Sequence, residues 1–435
     1  MELLPHRISD EAFAGLSKGG GGAQVVAGLA TAQSSKHRVL VRALTEEAAR
    51  SGHPNAGVAR AAYGLLSDLE DRAPEQVERV LRYPAVGAWA WRTYRSLTTD
   101  QDRRDDPGHL GAVTAAAAVH AGLPCRLRLP VGGGTIMLPS LGRLLLEDGT
   151  RAVTDVLVEP SRPGAAVLDV GGTKVLVDRS RDESGWQVLR RITVTPDLSL
   201  VIDDLDPYRW LSADLVDERT REDRLGIWRS AVTGGWRLLE RDHWTLAAET
   251  ASAIRVLTPI KAPPVGQNSG TSRETFGTIA LSEPPSALSV AATFAHEVQH
   301  AKLMALLDIM PLTTPDDGSR HYAPWRDDPR PVSGLLQGAY AFLGVSGFWR
   351  RHRHRESGQG AFVAEVQFAR WREGAHLVTG TLLAGDGLTP RGRDFVTGMR
   401  ATLESWCGEP VDPAALAQAR ADNDAHRDAW LLRNA

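Results

Sequence analysis

The chain has 435 residues, 42% of them hydrophobic and 24% charged, a length and balance that call for two or three domains with real cores. Its formal net charge is −3, and arginines are scattered among aspartates and glutamates, so no basic face for nucleic acid is expected. Only two cysteines occur, Cys125 and Cys407, far apart and outside any CxxC, which excludes a disulfide framework, a thiolate zinc site or an iron–sulfur cluster built from this chain alone.

The first hundred residues read as helical. Apolar residues recur at three- and four-residue spacing in Ala43 to Arg50, Gly57 to Leu69 and Pro74 to Arg82. The aromatic run from Tyr83 to Trp91 carries Pro84 near its start and predicts a helix entering the core after a proline turn. The glycine run Gly19 to Gly22 follows no strand and precedes no GK[ST], so a turn is expected there rather than a phosphate cradle.

From about residue 105 to 215 the texture changes to short apolar runs punctuated by Gly, Pro and Asp. Cys125 to Pro130, Gly134 to Leu138, Leu141 to Leu146, Ala165 to Asp169 and Lys174 to Asp178 are the predicted strands. Within them, Asp169-Val170-Gly171-Gly172-Thr173-Lys174 resembles the first phosphate loop of sugar kinases. It stands mid-chain with no second phosphate loop, so a Gly-Gly hairpin turn is the expected structure. Helix returns near residue 219 and continues to the end.

The informative segment is Phe294-Ala295-His296-Glu297-Val298-Gln299-His300, a match to H-E-x-x-H. Four residues on an α-helix is about 400°, so His296 and His300 project from one face, one turn apart, with Glu297 offset by about 100°. Two imidazoles at that spacing can bind one divalent cation, and in zinc peptidases the glutamate is the general base. Pro284, Pro285 and Ser286 supply a helix start with Ser286 as N-cap, and Pro311 supplies a stop.

The third ligand is open. A carboxylate from a later helix would complete either a His2Glu zinc site or the facial triad of non-haem iron(II) oxygenases. Glu365 is the candidate, because it lies among apolar residues of a predicted helix, where an unpartnered charge is costly. Gln337 and His321 are weaker alternatives.

Ordered segments of the chain resemble the actinobacterial H-E-x-x-H peptide-modification family. They include Tyr83 to Trp89, Gly108 to Gly111, Met137 to Arg143, Asp203 to Tyr208, Phe276 to Ser282, His296 to His300, His321 to Pro331, Gly334 to Phe342, Phe368 to Arg372 and Leu388 to Gly392. Together they span about residue 5 to residue 406. The resemblance implies an iron(II)- and 2-oxoglutarate-dependent β-hydroxylase of a ribosomally made precursor peptide, with zinc possible in the protein as purified. It also implies the possibility of a radical S-adenosylmethionine maturase as a partner; this chain has too few cysteines to be fused to one.

In such an enzyme Arg326 and Arg330 are the candidate anchors for the far carboxylate of 2-oxoglutarate. The Phe276 to Ser282 run is a candidate strand edge for the peptide, and Glu297 would orient water, substrate or a neighbouring side chain. The alternatives are a zinc peptidase with Glu297 as base and a non-catalytic peptide-binding scaffold.

The expected fold is α+β, mainly helical, with a strand-rich middle and a zincin-like H-E-x-x-H helix in the C-terminal half. Its expected parts are a helical segment over 1–104, a strand-rich segment over 105–215 and a helical catalytic domain over 216–435. No basic leader and no membrane-length apolar stretch is visible, so a cytoplasmic protein is expected.

Overall fold

The computed structural model describes residues 5–99, 105–146, 153–212, 214–264 and 266–434. Its first helices are α1 (Asp10–Ser17), α2 (Gly22–Arg50), α3 (Ala56–Arg72), α4 (Pro74–Leu81), α5 (Pro84–Thr98) and α6 (Leu110–Ala121). Nine strands follow: β1 (Cys125–Pro130), β2 (Thr135–Leu138), β3 (Gly142–Leu145), β4 (Val153–Pro160), β5 (Ala165–Val170), β6 (Thr173–Asp178), β7 (Trp186–Val188), β8 (Arg190–Thr195) and β9 (Leu198–Ile202). Helices α7 (Glu222–Asp242) and α8 (Trp244–Ala253) precede strands β10 (Val256–Pro259), β11 (Ser269–Gly270) and β12 (Thr278–Leu281). The chain ends on α9 (Ala287–Leu307), α10 (Val332–His352), α11 (Gly358–Ala384), α12 (Pro390–Cys407) and α13 (Pro413–Asn434). The class is α+β, with thirteen α-helices among the described residues and a strand-rich middle.

The contacts divide the chain into two units that do not follow chain order. One comprises Met1–Ala32, Trp228–Ile254 and Pro284–Ala435; the other comprises Gln33–Ile227 and Arg255–Glu283. The expected division at residues 104 and 215 therefore differs from the packing, and residue 104 itself lies outside the described residues.

Packing accounts for the difference. The N-terminal segment belongs with the C-terminal helices. Phe13 meets Phe395 edge-on at 5.6 Å, and the Tyr340 hydroxyl donates to the Leu16 carbonyl at 2.8 Å. Conversely, β10 and β12 are strands of the same sheet as β8 and β9.

In the second unit, α6 is buried on nearly every side, which its run of alanines permits. A Cβ at Gly111 would fall 2.7 Å from the Arg128 carbonyl oxygen, so glycine lets this helix lie directly on β1. Gly122, at φ +63°, ends the helix in the left-handed cap conformation. Strand β1 alternates buried Cys125, Leu127 and Leu129 with exposed arginines, the pattern of a sheet with one covered face.

The sheet orders are β1-β4-β5-β6, β2-β3-β7 and β11-β12-β10-β9-β8. Val170 pairs with Thr173, so Gly171 and Gly172 form the two-residue turn of a hairpin. Both have positive φ, and the Gly172 amide donates to Asp169 Oδ1 at 2.8 Å. The kinase-like motif is a turn.

The Phe276 to Ser282 run forms β12, but not as an edge. It pairs in parallel with β10 on one side and antiparallel with β11 on the other. Main-chain groups of Ala280 and Leu281 are thus flanked on both sides, and a peptide cannot add alongside them, contrary to the expectation from sequence.

Candidate metal centre

Helix α9 carries the H-E-x-x-H segment. Ser286 caps it as predicted, its hydroxyl accepting from the Ser289 amide at 3.1 Å. Phe294 and Val298 are fully buried, each contributing roughly 1.5–3 kcal/mol to seating the helix. Against it lies α10, admitted by glycine. A Cβ at Gly344 would stand 2.7 Å from the Ala295 carbonyl oxygen and 2.5 Å from Gln299 Cγ.

His296 and His300 leave this helix on one face. Their rings lie 4.8 Å apart, inclined at 71°, and their Nε2 atoms are 3.1 Å apart. That span matches the bite of one cation: at metal–nitrogen distances of about 2.0–2.2 Å, two cis imidazoles stand about 3.0–3.4 Å apart.

The His300 ring is oriented from α10. Its Nδ1 lies 3.1 Å from Gln337 Oε1. An amide oxygen only accepts, so Nδ1 is the donor in this contact and Nε2 is the nitrogen turned toward His296. Gln337, a weaker ligand candidate from sequence, is thus the hydrogen-bond partner of His300.

Burial, reinforced by the neighbouring His300, lowers the His296 pKa to about 3, so its ring is neutral at ordinary pH and suited to a metal. An aromatic wall stands beside it. Phe342 meets the His296 ring edge-on at 5.1 Å, and Trp325 stacks on Phe342 at 4.6 Å and 21°. Gly338 makes that stacking possible, since a Cβ there would lie 2.3 Å from Trp325 Nε1. Trp371 closes on the Phe342 ring at 4.3 Å. Glu297 is almost wholly buried, one carboxylate oxygen 4.0 Å from His296 Nε2.

The remaining predicted residues lie elsewhere. Both oxygens of Glu365 face Arg353 Nη1, at 3.1 and 3.3 Å, and the Arg353 guanidinium also binds Glu409 at 3.0 Å. A buried arginine, not a metal, is the partner that Glu365 required. Among the described residues no three His, Cys, Asp or Glu side chains converge to hold a metal ion. His321 does not join the pair; its main chain bridges to Arg330, closing the loop over 321–330. Arg326 and Arg330 both turn onto Asp328, at 2.8 and 2.9 Å, and hold its carboxyl down to about 2. They form a local ion-paired loop rather than open forks.

The donor set therefore fits a divalent cation through two imidazoles and supplies no third protein ligand among the described residues. No protein-family model matches the chain, and no curated protein matches it.

A second polar cluster, which the sequence reading missed, anchors the same helix. Lys302 is 1% exposed; its Nζ donates to Glu249 Oε2 at 2.7 Å and to the carbonyls of Gly19 and Gly20 at 3.0 Å. Glu249 Oε1 in turn accepts from the Gly22 amide at 2.8 Å, and Gln299 Nε2 donates to Gly19 O at 2.8 Å. The glycine run is thus a turn gripped by α9. The signal in the sequence was a lysine between Ala301 and Leu303, where a charge needs a partner.

Among the described residues no helix is long and apolar enough to cross a membrane.

Proposed function

We propose that the chain is a metal-dependent oxygenase that uses iron(II) and 2-oxoglutarate to hydroxylate a side chain of a ribosomally made peptide. The observation that supports it is the pair of Nε2 atoms 3.1 Å apart, one of them oriented by Gln337. Read with the family resemblance of the sequence, that pair is the protein's share of an iron site. Iron with 2-oxoglutarate and dioxygen supplies the oxidising power for C–H hydroxylation. Two protein ligands leave room for a chelating cosubstrate, dioxygen and a further ligand. The wall of Trp325, Phe342 and Trp371 shields one side of His296 from water and offers aromatic surface to a substrate side chain. For Arg326 or Arg330 to anchor the cosubstrate's far carboxylate, its exposed ion pair with Asp328 would have to open.

A second reading has its own observation. Glu297 holds a carboxylate oxygen 4.0 Å from His296 Nε2, close enough to take a proton from a water on the same cation. That is the arrangement of a zinc peptidase.

The two part in one experiment. Protein loaded with iron(II) and given 2-oxoglutarate in air should form succinate, and His296→Ala and His300→Ala should abolish it. Zinc-loaded protein that cleaves a peptide library, and loses that activity in Glu297→Gln, would replace the oxygenase with the hydrolase. Neither activity with a tightly bound metal would leave a binding scaffold.

A further inference from the structure

Within the second unit, three arginines gather at the turn between β2 and β3 with no carboxylate to answer them. Ser140 stands in that turn at φ +69°, the one residue other than glycine with positive φ among the described residues. Such a conformation persists only where the surroundings impose it. Two contacts do so. The Ser140 hydroxyl lies 2.9 Å from His120 Nε2, near the end of α6, and the Ser140 carbonyl accepts from Arg191 Nη2 of β8 at 3.1 Å.

Two further arginines are drawn to the same place. A Cβ at Gly142 would fall 2.8 Å from the Trp186 ring, so that ring packs directly on the turn. Its Nε1 donates to the Asp178 carbonyl at 2.8 Å, which holds the next residue, Arg179, beside the turn. Arg79 comes from α4, which packs on α6. Arg79 and Arg191 are exposed, and Arg179 is half-buried.

The three charges act on one another. Burial lowers the His120 pKa to about 3, and Arg179, Arg79 and Arg191 all add to the lowering, so this imidazole is neutral. Arg179 is itself lowered, by burial and then by Arg79 and Arg191. No carboxylate offsets the repulsion at Arg179 or Arg191. The acids adjacent in sequence are engaged elsewhere, Asp178 by Arg162 and Arg181, and Glu78 by Arg38 and Arg82.

Like charges brought together without a counter-charge cost stability, so the missing anion comes from outside the chain. Its form follows from the arrangement. Charges spread along a groove would suit an acidic chain; three guanidiniums around one turn suit a small ion of concentrated charge. A planar carboxylate fills a single guanidinium fork, whereas a tetrahedral dianion offers acceptors in several directions at once.

We propose that Arg79, Arg179 and Arg191 form a binding site for a phosphate group, with Ser140 and His120 as the buried frame that holds Arg191 in position. The assignment does not rest on the metal centre, since no metal ligand takes part.

Titration calorimetry on the full chain, without added metal and at fixed ionic strength, tests it. Inorganic phosphate should bind at least about a hundredfold more tightly than acetate, and Arg79→Gln and Arg179→Gln should each weaken it about tenfold. Methyl phosphate that binds as well as inorganic phosphate assigns the site to a phosphate ester; methyl phosphate at least about tenfold weaker assigns it to the free ion. A second readout needs no ligand. Arg79→Gln removes one of three like charges at an exposed position, so in phosphate-free buffer its melting temperature should equal or exceed the parent's. Phosphate bound no more tightly than acetate overturns the proposal. So does affinity within about twofold of the parent in both variants, or an Arg79→Gln protein that melts well below the parent without phosphate, the mark of a structural arginine.

Discussion

Gln337→Leu tests the claim that the centre is built to present a lone pair. The substitution keeps the size of the side chain and removes the acceptor 3.1 Å from His300 Nδ1. A neutral hydrogen bond of that length is worth about 1 kcal/mol, fivefold in affinity. Without it the ring is free to flip and to carry its proton on Nε2, both of which compete with metal binding. The combined loss should be between about tenfold and a hundredfold, or about 1.4–2.7 kcal/mol. Cobalt(II) or zinc(II) affinity, measured by competition with a chromophoric chelator, reads it directly. Gln337→Glu should retain or raise affinity, because a carboxylate accepts the same proton more strongly. The metal-free melting temperature should barely move in either variant. Affinity within twofold of the parent for Gln337→Leu would mean that the contact does not orient the ligand, and the reasoning would fail.

Glu365→Ala should leave metal content unchanged, since that carboxylate serves Arg353; it should cost about 1–3 kcal/mol in urea unfolding, moderated by the Glu409 contact that remains. Lys302→Met strands a buried Glu249 and should cost about 3–5 kcal/mol, with faster amide exchange over residues 19–22 as the local signature. Stability should fall as pH drops below about 6.5. Burial holds His37, His109 and His243 at about 4 and His120 at about 3, so the unfolded chain takes up protons there that the folded chain refuses. Buried Asp203 and Asp206 act oppositely: desolvation raises both, Asp206 to about 8, and their contribution grows as pH falls from 8 towards 4. With His296, also held at about 3, five imidazoles outnumber the two carboxylates, and each unmatched imidazole removes about 1.4 kcal/mol of stability per pH unit between pH 6 and 4. A urea midpoint that rises steadily from pH 7 to pH 5 would contradict this.

Local chemistry was readable in the sequence wherever it decided the structure locally. The start of α9 at Ser286, the Gly171-Gly172 turn and the alternation in β1 all follow from neighbours within a few residues. What escaped depends on partners far along the chain. Strand β12 read as an edge because nothing near it announces β10 and β11. Glu365 read as a ligand because its apolar neighbours show that a charge is buried, but not which counter-charge meets it. Arg326 and Arg330 read as carboxylate anchors although Asp327 and Asp328 stand between them in sequence, and it is Asp328 that both meet. Gln337 stood among the weaker ligand candidates, and its contact is with His300 Nδ1.

The grip of Gln299 and Lys302 on Gly19 and Gly20 joins residues 280 to 283 positions apart. Closing so long a loop is slow and entropically expensive. During synthesis residues 19 and 20 must therefore wait for residues 299 to 302 to emerge before they find this seat. A bulky fusion at the amino terminus would burden that late step, and histidines carried by an unseated α9 would meet metal before their surroundings had formed.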